Sequence, residues 1–134
     1  MIIQFYEKPG CINNTKQKAL LEQKGHIVFA HSLLTKVWLA DELRLFFEGL
    51  PVEAWFNPSN PKIKSGELNP LDFDKEKALD AMIEEPLLIR RPLIFAEGEY
   101  ACGFDNSLVQ KLLQNEDVSH LQKCPNLAKD AKCD

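Results

Sequence analysis

No two cysteines of this chain form a CxxC pair; its four thiols stand apart at positions 11, 102, 124 and 133. So sparse a set excludes a disulfide scaffold and a local dithiol exchange motif. There is no basic excess either. Sixteen Lys and Arg against twenty Asp and Glu give a formal charge of −4, which argues against a nucleic-acid partner or an anionic membrane surface. The longest apolar stretch, "PLLI" and then "PLIFA" after two arginines, is far too short to span a bilayer. Gly-rich phosphate loops, GxSxG and HExxH are all missing. The opening residues "MIIQFYEKPG" lack the basic, apolar and cleavage regions of a secretory signal, so a reducing cytoplasm with free thiols is the expected setting. His26, His31 and His120 are scattered. Three candidate ligands in a loose tail, His120, Cys124 and Cys133, make a poor metal site, and neither a metal nor a bound cofactor is expected.

What remains is enough for one packed domain, with 45% apolar residues. "IIQFY" (2–6) reads as a buried first strand. After a Pro9-Gly10-Cys11 turn, Ile12, Thr15, Ala19 and Leu20 recur at helical spacing up to a stop at Gly25. "HIVFAHSLL" (26–34) reads as a second strand. Leu39, Leu43, Phe46, Phe47 and Leu50 predict one helix closed by Pro51, and "PVEAWF" a short helical turn. Residues 57–72, "NPSNPKIKSGELNPLD", read as an exposed loop without regular structure. Ala78, Leu79, Met82 and Ile83 predict a helix from Asp74 to Pro86. "RPLIFAEGEYACGFD" (91–105) predicts a hairpin turning at Glu97-Gly98, with Cys102 in its core, and "NSLVQKLL" (106–113) a last helix. A domain over 1–114 is expected, followed by a polar, weakly ordered tail over 115–134.

Cys11 is the residue most suggestive of chemistry. At a strand-to-helix turn, the first unpaired helical N–H groups and the helix dipole favour thiolate over thiol, and Asn13 and Asn14 can cap or donate nearby. The plainer reading, a small hydrophobe packed under the sheet, stays open. With Asn14 three residues on, any redox cycle must be monothiol, completed by glutathione or a partner protein. Arg90, Arg91 and Pro92 form a second constellation, which on its own is equally a solvated pair at a strand edge.

The element order, a mixed four-stranded sheet flanked by helices with a helical insertion between strands 2 and 3, resembles the thioredoxin-like α/β fold. "FYEKPGC", "LADELRLFF", "PVEAWFN" and "LLIRRPLI" together resemble the glutaredoxin-coupled arsenate reductase family. Within it, "WFNPSNPKIKSGELNP" and "RRPLIF…GFD" are similar to the branch of nitrogenase-associated proteins. The resemblance covers residues 1–113. It implies that Pro92 stands opposite Cys11, often as a cis peptide, with Arg91 beside the thiolate as anion stabiliser. It also implies three departures. Glu7 and Lys8 replace a histidine and an asparagine, and the second and third anion-binding arginines fall at Asn57 and near Gly103.

Arsenate is close to a dianion at neutral pH, and one arginine with an added carboxylate holds it poorly unless Lys8, Lys62 or Lys64 substitutes. Arsenate reduction is therefore not expected. The resemblance implies instead a monothiol oxidoreductase. Cys11 would be its nucleophile and Arg91 its charge partner, with Lys8, Asn14, Asn57 and Pro92 lining the site and glutathione or glutaredoxin as reductant. The alternative is a non-catalytic adaptor binding a nitrogen-fixation protein.

Overall fold

The computed structural model describes residues 1–113. Expectations for the tail, including His120, Cys124 and Cys133, lie outside the described residues. Strand β1 (Ile2–Glu7) leads into helix α1 (Ile12–Gln23) and strand β2 (Ile27–Ser32), which pairs parallel to β1. Strands β3 (Leu93–Ala96) and β4 (Glu99–Cys102) are antiparallel, and β3 also runs antiparallel to β1, giving the sheet order β2-β1-β3-β4. Between β2 and β3 lie the short helices α2 (Ala40–Leu43) and α3 (Pro61–Lys64) and the longer α4 (Lys75–Glu84); α5 (Ser107–Leu113) follows the hairpin. No helix among the described residues is long and apolar enough to cross a membrane.

Strand alternation divides the core into two layers. Ile3, Phe5, Ile94, Ala96 and Ala101 point to one face, where Leu21 of α1 and Leu108, Val109 and Leu112 of α5 cover them. Leu93 and Cys102 point to the other, where Trp38, Leu43, Phe46 and Phe47 cover them; Trp55, Phe56, Leu79 and Met82 complete that layer. The hairpin turns where expected. Glu97 (φ 51°) and Gly98 (φ 77°) both have positive φ, the backbone that matches a two-residue turn to the twist of its strands.

Three expectations need correction. The helix over Leu39–Leu50 is interrupted: α2 lasts four residues, a 3₁₀ turn follows over Arg44–Phe47, and Leu39 is 67% exposed while Leu43, Phe46 and Phe47 are buried. Segment 57–72 is not structureless. Asn60 caps α3 by accepting from Lys62 N, Pro61 occupies the first turn, and Asn69-Pro70 repeats the device for a 3₁₀ turn over Pro70–Asp72. Asn-Pro pairs that look like breakers are here cap plus first-turn proline. Lastly, the inward stripe of α1 is not Ile12, Thr15 and Ala19 but Asn14, Gln17 and Leu21. Its first half is polar.

Candidate active site

The chain leaves β1 at Glu7 and turns through Gly10, whose φ of 85° a β-carbon would strain. Cys11 N–H donates to Lys8 O (3.1 Å) and closes that turn. Cys11 is then the N-cap of α1, in extended conformation, and its carbonyl accepts from both Thr15 N and Thr15 Oγ1 at 3.0 Å. The sulfur makes no capping hydrogen bond and the first helical turn holds no acidic residue. The residue is 2% exposed, whereas the Pro9-Gly10 turn ahead of it is exposed.

Beneath the cysteine runs a polar ladder that helical spacing from Cys11 to Asn14 to Gln17 builds. Asn14 Oδ1 accepts from Lys8 N (3.3 Å), and Asn14 Nδ2 donates to Gln17 Oε1 (3.0 Å). Asn14 is 2% exposed and thus fixes the approach of the Lys8 turn to α1. Gln17 escaped sequence reasoning because a buried glutamine breaks the apolar stripe; its i+6 spacing from Cys11 was the available signal. Glu7, 8% exposed, is held by Lys18 Nζ at 2.9 Å, so its carboxylate brings no unpaired negative charge to the turn.

Arg91-Pro92 is a cis peptide. Tyr6 pairs with Leu93 in the β1–β3 register, which puts Pro92 level with Glu7, at the end of β1 where the cysteine turn begins. The two arginines differ completely. Arg90 is occupied: its backbone N donates to Trp55 O (2.9 Å), its Nη2 bonds both carboxylate oxygens of Asp105 at 3.1 Å, and its guanidinium lies over Gly103. Arg91 Nη1 is buried without a hydrogen-bond partner. Asn57, 8% exposed, donates its backbone N–H to Leu88 O (2.8 Å) and accepts at Oδ1 from Ser59 N (3.1 Å), but its Nδ2 is also a buried donor without a partner. Groups of this kind are normally satisfied, so both donors are open to an acceptor.

Lys62 is engaged elsewhere, 2.8 Å from Glu85. Cys102 is buried as expected, its thiol directed to Arg90 O (3.5 Å) and pushed up to about 12 by burial. No cluster of three His, Cys, Asp or Glu among the described residues could hold a metal.

A cysteine at the N-cap of the helix after β1 and a cis-proline ahead of β3, in a β2-β1-β3-β4 mixed sheet, define a thioredoxin-like fold. The chain belongs to the ArsC family, whose model matches residues 6–112. Among solved structures it is similar to an ArsC family related protein from Bacteroides fragilis (25% identity, TM-score 0.71, covering 84% of this chain and 98% of that one). The arsenate reductase from Vibrio cholerae is matched at 24% identity, with TM-score 0.69 and the same coverages, and shows the fold alone. A full-length relative is an uncharacterized 15.7 kDa protein in the draG 3′ region of Rhodospirillum rubrum, 42% identical over 98% of this chain and 93% of its own length.

Proposed function

We propose that the protein is a monothiol oxidoreductase working through Cys11, linked to glutathione or glutaredoxin, and not an arsenate reductase. Two observations carry this reading together: a cysteine N-cap free of any capping bond, and an arginine donor left unpartnered at a cis-proline that strand register sets level with the end of β1. In the step proposed, Cys11 loses its proton to solvent and its thiolate attacks one sulfur of a disulfide. That S–S bond breaks, a new one forms to Cys11, and the other sulfur leaves as thiolate. A second thiol, glutathione or a glutaredoxin cysteine, then attacks the mixed disulfide and releases Cys11. The orphan N–H of Arg91 would steady the anionic end of the incoming group.

The donor set argues against arsenate. Arg91 is one cation, Asn57 is neutral, and Lys62 is committed to Glu85. A dianion beside a thiolate requires more positive charge than these supply.

Oxidised glutathione should leave a single adduct on Cys11, mapped by mass spectrometry and removed by glutaredoxin. Cys11→Ser should carry none in the region 1–113. An adduct confined to other cysteines, or none, would overturn the redox reading. A glutaredoxin-coupled arsenate assay should show no turnover. The relative in the draG region supports a second reading, a non-catalytic adaptor for a nitrogen-fixation protein. A partner retained equally by wild type and Cys11→Ser would favour it.

A further inference from the structure

Strand β4 pairs with β3 alone, so one side of its backbone faces away from the sheet. In a two-residue hairpin the flanking pair, here Ala96 and Glu99, is hydrogen-bonded, and the pairs beyond it alternate. The register Phe95–Tyr100, Ile94–Ala101 and Leu93–Cys102 therefore turns the backbone of Ala101 towards β3 and that of Tyr100 and Cys102 outwards. Gly103 N, donating to Pro92 O at 2.8 Å, keeps the same phase. Of the outward groups, Cys102 O accepts from Asn106 Nδ2 at 3.4 Å. The N–H and C=O of Tyr100 and the N–H of Cys102 have no partner among the described residues.

These groups lie in a groove between the two layers. Phe46 and Leu50 form one wall, with Tyr100 edge-on to Phe46 at 5.0 Å between ring centroids; Leu108, at the start of α5, forms the other. The groove holds about 180 Å³, short of the roughly 300–1,000 Å³ of small-molecule and cofactor pockets, and it follows a strand edge. Its lining carries two carboxylates and, among the described residues, no lysine or arginine. Glu48 belongs to the insertion wall and makes no ion pair among the described residues. Glu99 belongs to the other, where Lys111 of α5 holds it.

We propose that the β4 edge is a docking site for an extended, basic segment of a partner protein, which adds a strand to the sheet. Main-chain bonds to a free edge are the general means of binding such a segment, with alternate side chains read by the flanking walls. Here Tyr100 N–H and C=O and Cys102 N–H bond the incoming backbone. Apolar side chains lie against Phe46 and Leu50, and lysine or arginine side chains reach Glu48 and Glu99. The same carboxylates oppose a second copy of this chain, because pairing β4 with β4 about Tyr100 sets like charges against each other. The site is separate from Cys11 and does not depend on its chemistry.

The test uses the full chain and a phage-displayed library of random short peptides. Peptides selected on the wild type should carry lysine or arginine among β-branched or aromatic residues. A synthetic copy of one should slow exchange of the Tyr100 and Cys102 amide protons at least tenfold, read by NMR. Tyr100→Pro removes the outward N–H and leaves the ladder to β3 intact, whereas Tyr100→Ala removes only the ring. The proline variant should lose at least tenfold more affinity than the alanine variant, with circular dichroism verifying that both fold. Glu48→Lys, at an exposed position, should weaken binding several-fold, and Cys11→Ser should bind as the wild type does. Selection of no basic peptide overturns the proposal, as does equal binding by the proline and alanine variants or by Glu48→Lys and the wild type. So does loss of binding in Cys11→Ser, which would move the segment to the cysteine. A Tyr100 amide already protected in the free protein, by a second copy or by the chain itself, overturns it as well.

Discussion

Arg90 and Arg91 are adjacent and chemically identical, yet their surroundings give them opposite work. Arg90 is clamped by Asp105 over Gly103, where a β-carbon would stand 3.1 Å from its Cζ. Gly103 has φ +88° as well, so Gly103→Ala should lower stability by about 1–2 kcal/mol, read by urea denaturation. An arginine side chain at that position would meet the Arg90 guanidinium. Arg91 carries an unsatisfied donor that burial makes costly. Arg91→Met should leave the denaturation midpoint unchanged or slightly raised while slowing glutathione adduct formation on Cys11 several-fold. The opposite split, lost stability with unchanged reactivity, would make Arg91 a structural residue. Cys102 sets a pH dependence. Burial raises its thiol from 9.0 to about 12, so below pH 9 both folded and unfolded chains keep the proton and no stability is lost. Above it the unfolded chain ionises first, and stability should fall between pH 9 and about 12. Cys102→Ala should flatten that part of the stability–pH curve.

The elements show which signals in the sequence could be read. The strand–turn–helix around Cys11 and the hairpin around Glu97-Gly98 were legible because their signals are local: a glycine where φ must be positive, a proline where a helix or strand must start. The elements in 57–72 were misread because Asn-Pro means a break only when no helix follows. Asn60 caps α3 and also donates to Leu87 O at 3.1 Å, so Asn60→Ala should cost about 1–2 kcal/mol. If the loss were only a few tenths, the segment would not depend on its caps. The hairpin offers the reverse test. Glu97 sits at φ 51°, a conformation asparagine tolerates better, so Glu97→Asn should raise the melting temperature by a few degrees. The polar stripe of α1 was illegible for another reason. Asn14 and Gln17 are buried because they satisfy each other and the Lys8 turn, and apolar periodicity has no signal for a buried pair of amides.

At the scale of the molecule, the candidate site divides in the same way. Cys11 stood out because it lies at a strand-to-helix turn that local rules identify, whereas Arg91 and Pro92, equally a strand-edge pair by local rules, were set opposite it through the resemblance. The orphan amide of Asn57 was placed through the family resemblance alone, since its environment depends on contacts thirty residues away in the chain. A bridge joins Phe56 to Ile89, flanked by Asn57 N to Leu88 O and Arg90 N to Trp55 O. This short splice has a mechanical consequence. The insertion is not a cap resting on the sheet but is stitched, backbone to backbone, to the stretch that ends in the cis-proline. Any force that shifts Trp55–Asn57 therefore reaches Arg90 directly, without crossing a layer of side chains. The insertion works as a handle, and the arginine pair is the tool at its other end.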